Sequence, residues 1–415
     1  MQNKFKKDIQ YYKFCLYGFF KNLRFFDAFL MLFFLEKGLD FLQIGILYSI
    51  REVIISIIEI PSGVISDALG RRKTLIVSFA AYIFSFIVFY ISGSYIIIIA
   101  AMAIFATADS FRTGIHKAMI FQYLKIKKWS DQKIDYYGHT RSWSQSGSAI
   151  SALLAAVFVF YTESYRIIFL ASIIPYLADM LLIYSYPSSL DGVIKEMKIK
   201  NIKQKFSLVI KATIQSVSKI QFLKVLTNLS LYTGYFKSVK DYIQPVIKYF
   251  ALSMPILAYY NNERKTAIII GITYFLLYTA TAIASKYSGK FTSMFIHPRK
   301  PMNYTLITGL IIGIITGLSF VVGVYIFPII GFFIIMIIEN LRKPIGIGLV
   351  ANLSNDSSMA TTLSITSQTK SFFAAILAPV IGFAADLTNP GFGIAIVSFL
   401  LLIAWPIYWL TNASK

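Results

Sequence analysis

Charged side chains stand inside stretches of this chain that are otherwise built of Ile, Leu, Phe and Val. The cations are Lys21, Arg24, Arg112, Lys237, Lys240, Arg342 and Lys370; the acids are Asp27, Glu52, Asp109, Asp241 and Glu339. An ionisable group near the centre of a bilayer costs several kcal/mol unless it meets a partner or a wet cavity. The other reactive types do not assemble into a centre. His116, His139 and His297 lie far apart, and the single cysteine, Cys15, allows neither an internal disulfide nor a thiolate cluster. No phosphate-cradling loop, metal-ligand spacing or nucleophile–base–acid set is present. No cofactor, no metal and no enzymatic reaction are expected. Fixed charges in apolar surroundings can bind an ion of opposite sign, and the cations outnumber the acids. The expected solute is a small organic anion, contacted by Lys21, Arg24, Arg112, Lys237, Lys240 and Arg342, with Lys370 a weaker contact.

Spacing refines that expectation. Asp109 and Arg112, and likewise Glu339 and Arg342, stand at i and i+3, where two side chains share one helix face and neutralise each other. That leaves the cations around 21–24 and 237–240 unbalanced. Asp27, Glu52, Asp109, Asp241 and Glu339 form the expected charge network, and protons are the expected coupling ion. Asp27 and Glu52 are candidate carriers, although a carboxylate beside an arginine tends to stay ionised. The competing explanation is a set of structural salt bridges that hold the protein together without touching a solute. His116 reads as a packed polar residue and Arg141 as a cation that snorkels to the membrane surface.

Long apolar segments must position these residues. The chain has 415 residues, 57% hydrophobic and 14% charged, with mean hydropathy +0.66. Soluble domains carry about 25% charged residues, so the solvent for most of this chain is lipid. A membrane-spanning helix needs about 20 mostly apolar residues. Such segments fall near 10–36, 42–66, 74–93, 95–124, 137–161 and 164–186, then near 222–250, 265–286, 302–326, 327–353, 358–387 and 390–411. The expected fold is an all-α membrane protein of about twelve transmembrane helices in two pseudo-symmetric six-helix bundles. The expected domains are 1–187, a linker at 188–219, and 220–415. Within the linker, Ile199, Ile202, Phe206, Val209, Ile210 and Ile214 recur at helical spacing with lysines opposite, the pattern of an amphipathic helix on a membrane surface.

The formal net charge of +21 sits mostly in short connections between spans, at Lys4 to Lys7, Arg71 to Lys73, Lys125 to Lys128, the linker, and Lys290 to Lys300. The intervening connections EKGLD, SGS, TES and TNPG carry almost none. The positive-inside rule therefore places the basic loops and both termini in the cytoplasm, in an integral protein of the plasma (inner) membrane. Its expected partners are a small-molecule solute, protons and the lipid bilayer, with no nucleic acid, and it is expected to be monomeric.

The chain also repeats itself. GFFKNLR (18–24) recurs as GYFKSVK (234–240), DSFR (109–112) as ENLR (339–342), and SQSGSAISALLA (144–155) as SQTKSFFAAILA (367–378). Three matches in the same order imply a duplicated unit, and membrane carriers built from repeats bind solute near the bilayer midplane between the repeats. Gly309, Gly313 and Gly317 share one face of a span, a pattern of close helix packing.

Between the second and third spans lies GVISDALGRRK (63–73). It resembles the loop signature of the major facilitator superfamily, G-x-x-x-D-x-x-G-R-[RK]-[RK], through Gly63, Asp67, Gly70, Arg71, Arg72 and Lys73. A degraded copy, AIASKYSGK (282–290), has Lys286 where the first has Asp67, and the segment 360–386 resembles the superfamily's eleventh helix. The resemblance covers essentially the whole chain. It implies secondary active transport by rocker-switch alternating access, with spans one, four, seven and ten lining the cavity and the 63–73 loop acting as a conformational latch. Gly63 is expected where helices cross closely, Gly70 at a tight turn, and Asp67 as acceptor for the start of a neighbouring helix. YGFFKNLRFFDAF (17–29) and GHTRSWSQSGSAI (138–150) are similar to segments of animal folate and thiamine carriers of that superfamily, without naming a vitamin. The alternative within transport is a proton-coupled exporter of drugs or amphipathic compounds. A membrane receptor fits the latch motif and the duplicated polar helices less well, and a lipid scramblase requires a lateral opening, which a sequence does not display.

Overall fold

The computed structural model describes residues 7–129, 132–192, 207, 220–257, 259–352 and 359–411. Among these, all regular structure is helical. Eight helices are long and apolar enough to cross a bilayer, with mean hydropathies from 1.4 to 2.2. Helix is the solution the solvent imposes, because each backbone N–H and C=O in hydrocarbon must be satisfied within its own segment. The protein is a multi-pass, all-α membrane protein. Side chains such as Ile57, Val77, Ile96, Ile174 and Leu181 stay exposed on it, as lipid-facing residues should.

The chain forms two compact units. The first comprises Met1–Phe29, Ile57–Lys203 and Gly271–Tyr278. It contains α1 (Ile9–Lys21), the end of α3 (Phe41–Leu69), α4 (Arg71–Ile91), α5 (Tyr95–Arg112), α6 (Ile115–Ile126), α7 (Lys133–Thr162) and α8 (Ile167–Tyr184). α4 packs against α5 and α8, and α1 against α7 and α8. The core is strongly aromatic, with Phe79, Tyr82, Phe86, Phe105 and Tyr176 meeting edge to face or tilted at 5.0–6.4 Å. Asp8 caps α1 by accepting from the Tyr11 N–H at 3.0 Å, and its other oxygen accepts from the Tyr123 hydroxyl. Two of the expected continuous spans are interrupted. α1 stops at Lys21, and helix resumes only at α2 (Leu30–Glu36); α5 stops at Arg112, and Gly114, at φ +84°, starts α6. Non-helical backbone at membrane depth persists where protein or a wet cavity surrounds it, and both breaks fall beside the charged residues.

The second unit comprises Leu30–Ser56, Gln204–Ile270 and Thr279–Lys415. It holds α2, the start of α3, α9 (Ile220–Val239), a 3₁₀ turn (Lys240–Tyr242) and α10 (Ile243–Ser253). The rest of α11 (Asn262–Ser293) follows, with α12 (Arg299–Val321), α13 (Ile326–Asn352), α14 (Met359–Leu387), α15 (Pro390–Ile403) and α16 (Trp405–Tyr408). Its principal packings are α9 on α14 and α12 on α13 and α15. The small residues of α12 admit bulk from its neighbours: Gly309 faces Tyr232, Gly313 faces Tyr235 and Ser398, and Gly317 faces Gly391 and Ala395.

The sequence repeat has a physical counterpart. α9 breaks after Val239 as α1 breaks after Lys21, so the repeated lysines, Lys237 and Lys21, both sit at the last turn before an interruption. A Cβ on Gly18 would lie 2.5 Å from Ser144 Oγ of α7, and one on Gly234 would lie 2.5 Å from Phe373 Cβ of α14. The repeated glycine therefore brings each first helix onto the helix that carries the repeated SQ segment.

The 63–73 loop carries an anchor that the sequence did not show. Gly70, at φ +87°, makes the one-residue turn between α3 and α4. The acceptor at the start of α4 is Asp191, which takes the Arg72 backbone N–H at 2.7 Å and Arg72 Nε at 3.0 Å. Arg72 also donates to the Tyr186 carbonyl at 2.6 Å, and Arg71 reaches the Ala118 carbonyl at 3.5 Å. A carboxylate at a helix start answers free N–H groups and the helix dipole, and the acid that fills this role lies over a hundred positions away. No atom of the described residues lies within 4 Å of where a Cβ on Gly63 would stand. Most of the expected amphipathic linker, residues 193–206 and 208–219, lies outside the described residues. Ser188–Asp191 at its start forms a short 3₁₀ helix.

Candidate functional site

In the first unit the charges gather where α1 and α5 break. Asp109 is the hub. Its Oδ1 lies 2.5 Å from Arg112 NH2, 3.7 Å from Arg24 NH2, and accepts from the Tyr82 hydroxyl at 2.5 Å. Arg112 Nε donates back to that hydroxyl at 3.0 Å, and Arg24 also lies 3.9 Å from Asp27. The Asp109–Arg112 pair follows from its i, i+3 spacing. The Arg24 and Tyr82 contacts arise from packing between helices and leave no mark on local sequence.

Beside this hub is a cavity of about 130 Å³. Lys21, Arg112, Lys117 and Arg141 line it together with His116, Tyr17, Phe14, Tyr137 and Ser144. Among the described residues, no carboxylate lies on the wall. The Tyr17 and His116 rings stack at 3.5 Å and 11°, and His116 Nε2 bonds the Tyr186 hydroxyl at 3.2 Å. Lys117 lies 5.4 Å from the centroids of Phe121 and Tyr137. Lys21 enters none of the ion pairs found among the described residues, and it lines the cavity. His116 and Arg141, read from sequence as packed and snorkelling residues, are both on that wall. Their types alone could not show it, because the wall is made by four helices converging at two helix breaks.

The second unit treats its charges differently. Glu52 of α3, 3% exposed, accepts from Lys237 Nζ at 2.6 Å, Ser371 Oγ at 2.8 Å and Arg51 NH2 at 3.1 Å. Lys240 lies 2.9 Å from Asp241. The expected unbalanced cations at 237–240 are therefore matched, one by a carboxylate far away in sequence and the other by its immediate neighbour. Arg24 is matched as well, by Asp27 and Asp109. Of the cations expected to lack a counter-charge, Lys21 alone enters no ion pair among the described residues.

Arg342 also departs from expectation. It is 0% exposed, and its guanidinium donates to the Met302 carbonyl, Thr305 Oγ1 at 2.8 Å, and Asn228 through its carbonyl at 3.1 Å and Oδ1 at 2.8 Å. It lies 4.7 Å over the Tyr232 ring. Its bonds go to α9 and α12 rather than to Glu339, so the expected i, i+3 pair does not form and the guanidinium is a clamp between helices. Glu339 accepts from Thr233 at 3.0 Å through one oxygen, while its other oxygen is buried without a hydrogen-bond partner. Lys370 of α14 is half-buried and interacts electrostatically with Glu339, Lys343 and Lys237.

One buried acid escaped the reading of the sequence. Asp179 of α8 is 0% exposed, and neither of its carboxylate oxygens has a hydrogen-bond partner. The signal was present in PYLADMLLIY, a lone acid in an apolar span, which is the same criterion that singled out Glu52. Tyr17, Tyr82 and Ser371 carried no such signal.

Comparison with known proteins places the fold. The solved nucleoside transporter NupG, as a point mutant, superposes with a TM-score of 0.76 at 12% identity, covering 96% of this chain and 99% of that one. The D-xylose-proton symporter gives 0.68 at 12% identity, covering 96% and 95%. A peptide transporter, POT, solved in complex with sulfate, gives 0.67 at 13% identity, covering 97% and 96%. In sequence, the uncharacterized MFS-type transporter YxaM of Bacillus subtilis (strain 168) is 37% identical over 84 residues, 20% of this chain and 21% of that protein. The match thus spans about a fifth of the curated relative. A family model described as Major Facilitator Superfamily matches residues 15–379, and this chain belongs to that superfamily.

Proposed function

We propose that the protein is a secondary active transporter whose solute is a small organic anion, and that it works by rocker-switch alternating access of two bundles, 1–187 and 220–415. The observation that carries the anion is the cavity in the first unit. Lys21, Arg112, Lys117 and Arg141 line it with no carboxylate among them. Preorganised cations in a confined, low-dielectric space stabilise an anion more than the same charges in water do. Arg112 is held in place by Asp109 and Tyr82, so it offers a fixed donor, whereas the Lys21 stem is free to follow the solute. Tyr17, Phe14 and Tyr137 add aromatic faces to the same wall, which suits a carboxylate on a compact ring or short chain.

The paired charges take structural and coupling roles in this reading. Asp109 orients Arg24 and Arg112. Glu52, Lys237 and Ser371 join α3 to α9 and α14, and the pair must open if α3 leaves those helices during the cycle. The 63–73 loop, anchored through Arg72 to Asp191, is the conformational latch. Both termini are assigned to the cytoplasm, in the plasma (inner) membrane, and the transporter acts as a monomer.

Uptake into proteoliposomes tests the reading. Replacing Lys21 with Gln removes a cavity cation that enters none of the ion pairs found among the described residues, so uptake of an organic anion is lost while the protein elutes as a monodisperse species. Full uptake by Lys21→Gln rejects the anion site.

A further inference from the structure

α8, the helix that carries Asp179, packs against α1, whose Tyr17 and Lys21 line this cavity. α8 carries Asp179 into the aromatic core, where it is 0% exposed and both carboxylate oxygens are without a hydrogen-bond donor. An ionised carboxylate left in that condition is strongly destabilised, and such a group neutralises by taking a proton or by finding a cation. The neighbouring elements supply few choices. α1 brings Tyr17 and Lys21, α5 brings Arg112, α4 brings Tyr82, and α8 itself has Tyr176, with Tyr186 just past its end. α7 contributes Arg141 to the cavity wall. Of the helices packed on α8, α1 carries the cation Lys21 at its last turn, and Lys21 and Arg112 are the cations that favour a charge on Asp179. Arg112 is already committed to Asp109 at 2.5 Å and Tyr82 at 3.0 Å. Lys21 is not committed to any ion pair among the described residues, and it lines the wall that the solute would touch.

We propose that Asp179 is a proton-binding site that sets the anion affinity of the cavity by competing with the solute for Lys21. With a proton on Asp179, the acid is neutral and the Lys21 ammonium is available to the solute. With the proton released to water, the Asp179 carboxylate draws Lys21 back, and the solute loses its counter-charge. One anion and one proton are therefore bound together, and by linkage each raises the affinity for the other. No covalent bond other than O–H forms or breaks. The proposal rests on the anion reading of the cavity given above. It goes further by assigning the coupling to an acid outside the network around Asp109 and Glu52.

Two measurements on the purified full-length protein test it. The first is acid-minus-alkaline infrared difference spectroscopy, which reads the carbonyl stretch of a protonated carboxyl group. A band present in the wild type, absent from Asp179→Asn and retained in Glu339→Gln is the expected result; an unchanged band in Asp179→Asn overturns the proposal. The second is calorimetric titration with benzoate at two pH values at which benzoate itself is ionised. Wild-type affinity is expected to fall about tenfold from the acid to the alkaline condition, a difference of about 1.4 kcal/mol. In Asp179→Asn, which mimics the protonated acid, affinity stays high at both. Equal pH dependence in wild type and Asp179→Asn overturns the coupling and leaves the anion site standing. Absence of benzoate binding to both proteins overturns the anion reading and the coupling with it.

Discussion

Glu52 and Lys237 lie 185 positions apart in sequence and meet at 2.6 Å, with Ser371 completing the contact at 2.8 Å from the same carboxylate oxygen. Glu52 is almost wholly buried and Lys237 is 30% exposed, so the pair is shielded on one side and wet on the other. That geometry suits a contact that holds in one state of a transport cycle and hydrates in another.

Removing one partner strands the other. Glu52→Gln leaves the Lys237 ammonium facing Ser371 alone, and breaking a buried pair in this way costs about 3 kcal/mol. The melting temperature of the purified protein should drop, and the double replacement Glu52→Gln with Lys237→Met should recover the part of the loss that comes from Lys237, while Arg51, 3.1 Å from Glu52, lacks that counter-charge in both variants. Additive losses in the double variant would show that the two side chains do not act on each other.

Arg342 is expected to matter for folding rather than for solute. Its planar fork reaches two backbone carbonyls and two side-chain oxygens at once, which the single ammonium of lysine cannot reproduce. Arg342→Lys should lower thermal stability by about 3 kcal/mol while leaving the concentration dependence of uptake unchanged in the folded fraction. A raised half-saturation concentration at full stability would return Arg342 to the solute site.

The anchor of the 63–73 loop gives a third test. Asp191 answers the Arg72 backbone N–H at the start of α4, a role whose loss costs about 1 kcal/mol. Gly70→Ala forces a Cβ onto a backbone at φ +87°, 3.3 Å from the same carboxylate, with a further cost of about 1 kcal/mol. Thermal melts of Asp191→Ala and Gly70→Ala should each fall modestly, and Asp67→Ala should leave the α4 cap intact. An Asp191→Ala melt equal to that of the wild type would overturn the assignment of Asp191 as the α4 cap.

The duplicated glycines provide a fourth. Gly18→Leu and Gly234→Leu each drive bulk into a facing helix, α7 in the first unit and α14 in the second. Overpacking of this kind costs about 1–3 kcal/mol. Both variants should express poorly or melt early to a similar degree, judged by fluorescence-detected size exclusion. Tolerance at one position and not the other would mean that the repeat is a likeness of sequence without a shared packing role.

The all-helical membrane fold was legible because long apolar runs admit no other backbone in lipid. The repeat was legible too, since GFFK and GYFK mark the same helix–helix approach twice. The Asp109–Arg112 pair was readable from its i, i+3 spacing. The same spacing misled at Glu339 and Arg342, where α9 and α12 offer the guanidinium a richer set of oxygens than one carboxylate one turn away. Glu52 and Lys237, and Asp191 and Arg72, could not be matched from sequence, because nothing local encodes a contact between helices so far apart in the chain. Asp179 was in plain view as a lone acid in an apolar span, and its neighbours became evident only once α1, α5 and α8 were seen to converge.

The central claim is that the cations around Lys21 hold an anionic solute. Its most direct test is the melting temperature of wild-type protein and Lys21→Gln across a concentration series of small organic anions, benzoate among them, with matched organic cations as controls. Ligands that bind the folded state raise the melting temperature in proportion to the logarithm of their concentration. At least one anion and none of the cations should raise the wild-type value, and that rise should vanish in Lys21→Gln. A rise produced by cations, or an anion-induced rise that survives in Lys21→Gln, would contradict the account.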